Sequence, residues 1–449
     1  MKTTKFFLMA ALALTFAACS NDDNDILNPA QPAKGEGITI TATLAPKDAG
    51  AATRKVSEGT NEIVTSWEQY EGIAILYTVG SEKKRADATI TSVDANGVAT
   101  ITFKVVDGTP DNTECTLVYP KTAAKADNTG VKDYATLLAS QWGELTGDFD
   151  VRVGAGKIKT STPSLDVTTQ PAAQFAIFKF TLSGVSIDAT HPLVIKDNAS
   201  NNTITTVTPA STATSVFVAM PAATSKTYKF VVTNAVNKYI YRGTAAIEAG
   251  KYYQTPLTMS PRYPLALSSA TVDDLGAVVN SEGQMSVEKA AASGTAVGIV
   301  GKVTATGQGL ILALKDATSQ TWETITGWDS FTTYAGTTLK VLPGNAARGS
   351  LTSYTKLGST NVSNWAVGQK SDYEAIFINL GSKKRDGDGT TYDGNVNAYI
   401  TTGVGGNAIS DRYWSAAAST WGGWSFNSDY WIADLKTSIS ASVRPVLGF

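Results

Sequence analysis

The side chain placed most plainly for chemistry is Cys19. Lys2 and Lys5 give the chain a positive start, and the apolar run Phe6 to Ala18 ends in small residues that lead straight to the thiol. A run of that length is a secretory signal rather than a membrane span, which needs about 20 residues. Small residues directly ahead of a cysteine are the pattern of a lipoprotein signal, which predicts cleavage before Cys19 and acyl chains on its sulfur. Everything after Ala18 then works outside the cytoplasm, tied to a membrane by lipid. Other candidates for chemistry are few. Cys115 sits in the apolar run Cys115-Thr116-Leu117-Val118-Tyr119 and reads as a small buried hydrophobe. The one histidine, His191, stands in the loop-like Ala189-Thr190-His191-Pro192. A Ser-His-Asp triad or a multi-histidine zinc site is therefore nearly excluded. The 39 acidic residues could supply a glycosidase pair, yet no spacing marks one out. The expectation is a protein that is not an enzyme, with no catalytic residues, no metal and no cofactor.

Three other stretches could bind or be cut. The segment from Trp421 to Trp431 sets flat aromatic rings beside amide and acid groups. Sugars stack their C–H faces on such rings while polar groups take the hydroxyls. Trp421, Trp424, Asn427, Asp429, Tyr430 and Trp431 are the candidate ligand contacts, although the alternation of Trp424 and Phe426 fits a core better, as in any Trp-rich module. Lys383-Lys384-Arg385-Asp386-Gly387-Asp388-Gly389, with Asp393 and Asn395, misses the calcium-loop spacing and reads as a solvated hairpin tip. Ala51-Ala52-Thr53-Arg54-Lys55 is a small-residue loop with two basic side chains, open to proteolysis.

These groups must be positioned by β-structure. Ile38, Ile40, Ala42 and Leu44 alternate with Thr39, Thr41 and Thr43, the period of a half-buried strand. Ala88 to Val93 and Val98 to Val105 flank Asn96-Gly97, a strong hairpin signal. A second β run opens at Ala173 and continues through Ser215 to Pro221, Tyr228 to Val232 and Gly250 to Leu257. The stretch from Lys157 to Thr169, rich in Ser, Thr and Pro, reads as a junction between domains. Val131 to Trp142 is weakly helical. Past Pro261 the character changes: seven of the nine tryptophans lie beyond residue 320, and Ser371-Asp372-Tyr373-Glu374 reads as a capping box that begins a helix.

The expected fold class is mainly β, with two tandem β-sandwich domains of transthyretin or immunoglobulin type and a C-terminal α+β domain. The expected boundaries are 1–18 for the signal, 19–36 for a flexible polar tether, 37–160, 161–260 and 261–449. Removing residues 1–18 takes two lysines and no acid, so 37 basic against 39 acidic residues becomes a net charge of about −4. No basic stripe invites nucleic acid.

Trp67 followed by Gly72-Ile73-Ala74-Ile75, the pair Tyr119-Pro120, the strand Phe175 to Phe180, Val218-Ala219-Met220-Pro221 and Gly250-Lys251-Tyr252-Tyr253 together resemble the fimbrillins. These are lipoprotein-derived pilus subunits of Gram-negative anaerobes, and the resemblance covers residues 1 to about 258. The C-terminal part is similar to a C-type-lectin-like module, carried by Gly309 to Asp316, Trp365, Ser371-Asp372-Tyr373, Tyr413-Trp414-Ser415 and Val443 to Phe449. It departs from that module at Trp365-Ala366-Val367-Gly368 and Ser415-Ala416-Ala417. The resemblance implies a precursor lipid-anchored in the outer membrane and then built into a fimbrium. A protease would cut at Arg54, before Lys55, removing the strand Ile38 to Leu44 and the tether. A strand from another subunit would fill the groove left behind. Ending in a closing strand of the lectin-like module, the chain is expected at the tip or as an accessory subunit, contacting a glycan or protein receptor. The alternative is a monomeric surface lipoprotein that captures glycan and keeps its lipid.

Overall fold

The computed structural model describes residues 37–47, 57–58, 63–291, 294–334, 336–382, 396–409, 412–419, 422–426, 431–434 and 440–449. The chain is mainly β, in three consecutive units.

The first unit is a closed seven-stranded barrel made of β1 (Ile38–Leu44), β2 (Gly72–Val79), β3 (Glu82–Val93), β4 (Ala99–Val105), β5 (Thr113–Tyr119), β6 (Arg152–Lys159) and β7 (Ser164–Ala173). Round the barrel the order is β1, β7, β6, β5, β2, β3, β4 and back to β1. Alternating apolar positions from all seven strands fill it, among them Ile40, Leu44, Ile73, Ile75, Ile90, Ile101, Leu117 and Ile158, each with no exposed surface. The β3–β4 hairpin forms where Asn96-Gly97 predicts it, but only Gly97 takes a positive φ, of 79°. Asp94 does the rest: its carboxylate accepts from the amides of Asn96 and Val98. The strand β7 lies past the 160/161 boundary drawn from the sequence, yet it pairs with β6 from Ser164↔Lys159 to Ala173↔Arg152. Thr168 and Thr169 are exposed, Pro171 is buried, and Leu165 and Val167 face the barrel core. The weak helical signal between Val131 and Trp142 becomes one short helix, Tyr134–Leu138, capped by the Asp133 carboxylate on the Thr136 amide.

The second unit is a two-sheet sandwich. One sheet holds β11 (Ser215–Pro221), β8 (Phe175–Ser183) and β14 (Tyr252–Thr258); the other holds β13 (Lys238–Ile247), β12 (Ala223–Thr233), β9 (Leu193–Asp197) and β10 (Thr203–Val207), with Ser140–Gln141 and Ser260–Pro261 at its edges. Phe178, Phe180, Leu193, Val218, Phe230 and Leu257 fill the space between them. The outer face of the first sheet, through Phe175, Ile177 and Ala219, packs on Ala74, Leu76 and Val118 of the barrel. This shared apolar layer joins the first two units.

The third unit is built on a nine-stranded sheet with both faces covered. Neighbouring residues point to opposite sides. Val278, Ile299, Leu310, Ala366 and Val446 meet Tyr373, Ile376 and Phe377 of the helix Lys370–Asn379. Val279, Val300, Ile311, Val367 and Leu447 meet Trp322, Trp365 and Trp414. Double burial is why Gly309 to Leu314 reads as an unbroken apolar run rather than an alternation. The helix starts two residues ahead of the expected capping box: Gln369 is its N-cap, and the Asp372 carboxylate accepts the Gln369 amide at 2.9 Å. Asp372 is held there because it is buried and also binds the Lys302 ammonium at 2.9 Å. A five-stranded sheet including Tyr413–Ser419, Gly422–Phe426 and Trp431–Asp434 completes the unit.

Candidate functional site

The barrel is closed most weakly at the seam between β1 and β7. On one side β1 runs antiparallel to β4 in an unbroken register, from Ile38↔Val105 to Leu44↔Ala99. On the other side a single parallel pair, Thr41↔Ser164, closes the barrel. The four residues expected to be buried on this strand share one face: Ile40 and Leu44 are fully buried, Ala42 nearly so, and Ile38 lies partly buried at the rim. Thr39, Thr41 and Thr43 face solvent. Fully burying two such side chains is worth roughly 3 to 6 kcal/mol. The register is tight at its start, where a Cβ on Gly37 would lie 2.1 Å from the Val105 carbonyl oxygen.

Just past the strand the chain is fastened by a buried polar cage. The Ala45 carbonyl accepts the Trp67 indole N–H at 2.8 Å, and the Ala45 amide donates to Gln170 Oε1 at 3.2 Å. Two residues on, the Lys47 side chain is 1% exposed. Its ammonium lies 2.8 Å from Asp150 Oδ2 and 3.8 Å from Glu71 Oε2. The same nitrogen sits over two rings, 3.7 Å from the Tyr119 centroid and 4.4 Å from that of Trp67. Those rings meet edge to face at 5.1 Å, the arrangement their quadrupoles favour. Arg152 closes the cage: Nε donates to Asp150 Oδ1 at 2.6 Å, Nη2 to Thr65 Oγ1 at 2.6 Å, and Nη1 to the Lys47 carbonyl at 3.2 Å. The Tyr119 hydroxyl donates to Glu71 Oε1 at 2.6 Å.

The electrostatics are those of a site built round a cation. Burial lowers the Lys47 ammonium from the ordinary lysine range, opposed chiefly by the Asp150 carboxylate. Burial, together with the Glu71 carboxylate, pushes the Tyr119 phenol far above its usual range, so Tyr119 remains a neutral donor and a ring face.

Arg54 and Lys55, the expected cleavage pair, lie outside the described residues, as does Cys19. The chain is fastened on the far side of that pair as well. The Glu58 carboxylate takes the Lys179 ammonium at 2.9 Å and the Tyr252 hydroxyl at 2.6 Å, both on the second unit. The Arg54 segment therefore joins two anchored points, Lys47 and Glu58.

Of the aromatic cluster expected to touch a ligand, Trp421, Asn427, Asp429 and Tyr430 lie outside the described residues. Trp424 and Trp431 belong to the strands Gly422–Phe426 and Trp431–Asp434, with undescribed side chains. The described tryptophans of the third unit, Trp322, Trp328, Trp365 and Trp414, are all core. Among the described residues no group of three or more His, Cys, Asp or Glu could hold a metal ion, and no helix is long and apolar enough to cross a membrane.

Sequence reasoning passed over Lys47, Asp150 and Arg152. The walls of their cage, Trp67 and Tyr119, were among the residues that carried the family resemblance, and they were the available signal.

No family model and no curated protein matches the chain. Among solved structures it is similar to a fimbrial protein of Bacteroides ovatus, at 11% identity and a TM-score of 0.25, over 92% of this chain and 99% of that one. It is also similar to a proposed cell adhesion protein of the same organism, at 14% identity and a TM-score of 0.29, over 50% of this chain and 94% of that one. A proposed cell adhesion protein of Bacteroides fragilis aligns at 10% identity and a TM-score of 0.27, over 51% of this chain and 95% of that one. Likenesses this weak carry nothing about what this chain does.

Proposed function

We propose that this chain is a fimbrillin-like pilus subunit. It is exported as a precursor lipidated at Cys19 and released by cleavage between Arg54 and Lys55. It is then joined to its neighbour by a strand that replaces β1. The observation that carries the reading is the uneven hold on β1. A strand with a full ladder on one edge, one bridge on the other and an apolar face in the core is suited to replacement by another of the same pattern. The placement of the anchors supports it. A cut between Lys47 and Glu58 leaves the new amino terminus fastened to the second unit through Lys179 and Tyr252. Among the described residues, the outgoing segment is attached to the barrel by contacts that an incoming strand could remake. The third unit, read as lectin-like, is displayed for adhesion to a glycan or protein receptor at the tip or in an accessory position. Its candidate contacts are Trp421, Trp424, Asn427, Asp429, Tyr430 and Trp431.

The test is assembly in cells that make the native filament. Replacing Arg54 and Lys55 together by Ala is expected to leave a lipidated, folded precursor that never enters detergent-resistant polymers. Entry of that variant into polymers at the native level would overturn the reading. Glycan binding by a monomeric, still lipidated native protein would favour the capture lipoprotein instead.

A further inference from the structure

We infer that the Lys47 cage is the specificity pocket of the replaceable-strand groove, and that an incoming strand must place a basic side chain there. The inference rests on the strand-exchange reading above and adds to it the chemistry of the partner: a strand of pattern apolar-x-apolar-x-small-x-apolar-x-x-basic.

Lys47 lies between β1 and the proposed cut, so it leaves with the strand. Among the described residues, its going removes one of two cations from a group that holds Asp150, Glu71 and Arg152, leaving two carboxylates to one guanidinium. With the first strand in place, Asp150 is 4% exposed and Arg152 is 6% exposed. An ion pair broken at such a depth leaves an uncompensated charge. Two ring faces, of Tyr119 and Trp67, would lose the cation over them at the same moment. The vacated site thus has negative charge, aromatic walls and the depth of one long side chain. A lysine or arginine meets all three demands, and an apolar side chain meets only the last.

Access and register make this a pocket of the groove rather than an isolated buried pair. Lys47 follows the last core residue of the strand, Leu44, by three positions, and the Ala45 backbone between them is held by Trp67 and Gln170. A strand seated like β1 is therefore carried to the cage by its own backbone. A cavity of about 350 Å³ adjoins the site, lined by Lys47, Asp150, Arg152, Gln170, Phe175 and Lys251, and gives the side chain a way in between the first two units. Apolar alternation is common to many strands and identifies none. A cation at one fixed offset is a much narrower requirement, and partner choice often rests on such a penalty against wrong strands.

The test uses the full chain with a site-specific protease sequence inserted after Arg54, cut so that the first strand stays bound without a covalent link. Labelled synthetic peptides spanning residues 37–54 are then exchanged into it. The native peptide is expected to replace the resident strand. A Lys47→Met peptide, which keeps length and loses charge, is expected to bind about 100-fold more weakly, or ~2.8 kcal/mol at 1.4 kcal/mol per tenfold. A peptide with Lys47→Asp and Asp48→Lys has the native composition and is expected to bind as poorly. If the native peptide exchanges and either altered peptide binds within about threefold of it, less than 1 kcal/mol, the pocket is overturned and strand exchange survives. If no peptide exchanges, the native one included, strand exchange itself fails and the pocket falls with it.

Discussion

Leu44→Ala is the sharpest perturbation of the barrel seam. Leu44 has no exposed surface, lies opposite Ala99 in the β1–β4 ladder and belongs to the apolar cluster that fills the barrel. Truncating a buried leucine costs about 2 to 5 kcal/mol, the transfer of the lost methyls plus the cavity left behind. The site sits in a sheet bonded on both sides, which limits collapse, so about 3 kcal/mol is expected. Because β1 has one ladder and one bridge, the loss should appear first as detachment of that strand rather than as unfolding of the whole barrel. Hydrogen exchange followed by mass spectrometry reads this directly. The amides of Ala99–Val105 that bond to β1 should exchange on the order of 100-fold faster in the variant, which is ~2.8 kcal/mol at 1.4 kcal/mol per tenfold, while those bonded to β3 should not. Amides in the second unit, around Phe178 and Phe230, should not change. Thr43→Ala, on the exposed face of the same strand, is the control and should shift stability by less than ~0.5 kcal/mol. If Leu44→Ala leaves the β1-bonded amides of Ala99–Val105 protected to within about threefold, β1 is not the element that opens, and its uneven hold does not make it detachable.

Two further predictions concern charge and burial. Asp273 of the third unit meets Lys229 at 2.7 Å and also Arg242, both on the second unit. Burial alone would raise its carboxyl, but those two cations outweigh burial and hold it below the usual range. The unfolded carboxyl, near pH 3.9, therefore protonates first. The stabilisation is fully present above that pH and is lost as pH falls through the lower folded value. Asp273→Asn should weaken docking of these units by ~3 kcal/mol at neutral pH and abolish this acid step, followed by proteolysis of the 258–265 connection. An acid profile identical to the native one would contradict the assignment. Cys115 is buried in the barrel, and burial pushes its thiol up to about 12. It should resist a charged disulfide reagent at pH 8 until denaturant opens the barrel. Labelling of the native protein at the rate of a free thiol would contradict that burial.

What the sequence made legible follows from where water is. β1 has one wet face and one dry face, so Ile38, Ile40, Ala42 and Leu44 alternate cleanly with threonine. The β3–β4 turn was legible because Gly97 answers a backbone demand for positive φ. Strands of the nine-stranded sheet gave no alternation because both faces are dry, as Leu310 and Ile311 show. β7 reads as a junction because only Leu165 and Val167 of its side chains join the apolar barrel cluster, and the rest, Pro171 included, are of types common in loops. Lys47 was illegible for a different reason. Pro46-Lys47-Asp48 is ordinary loop sequence, and the partners that make Lys47 special lie at 67, 71, 119, 150 and 152, brought to it only by the fold.

The most direct test of the central claim is the N-terminal sequence and intact mass of the protein recovered from native cell surfaces. A chain beginning at Lys55, without the Ile38–Leu44 strand, is the expected result and makes replacement of that strand obligatory for a closed barrel. A chain beginning at acylated Cys19 with Arg54 intact would contradict it, leaving a membrane-anchored protein that keeps its own first strand.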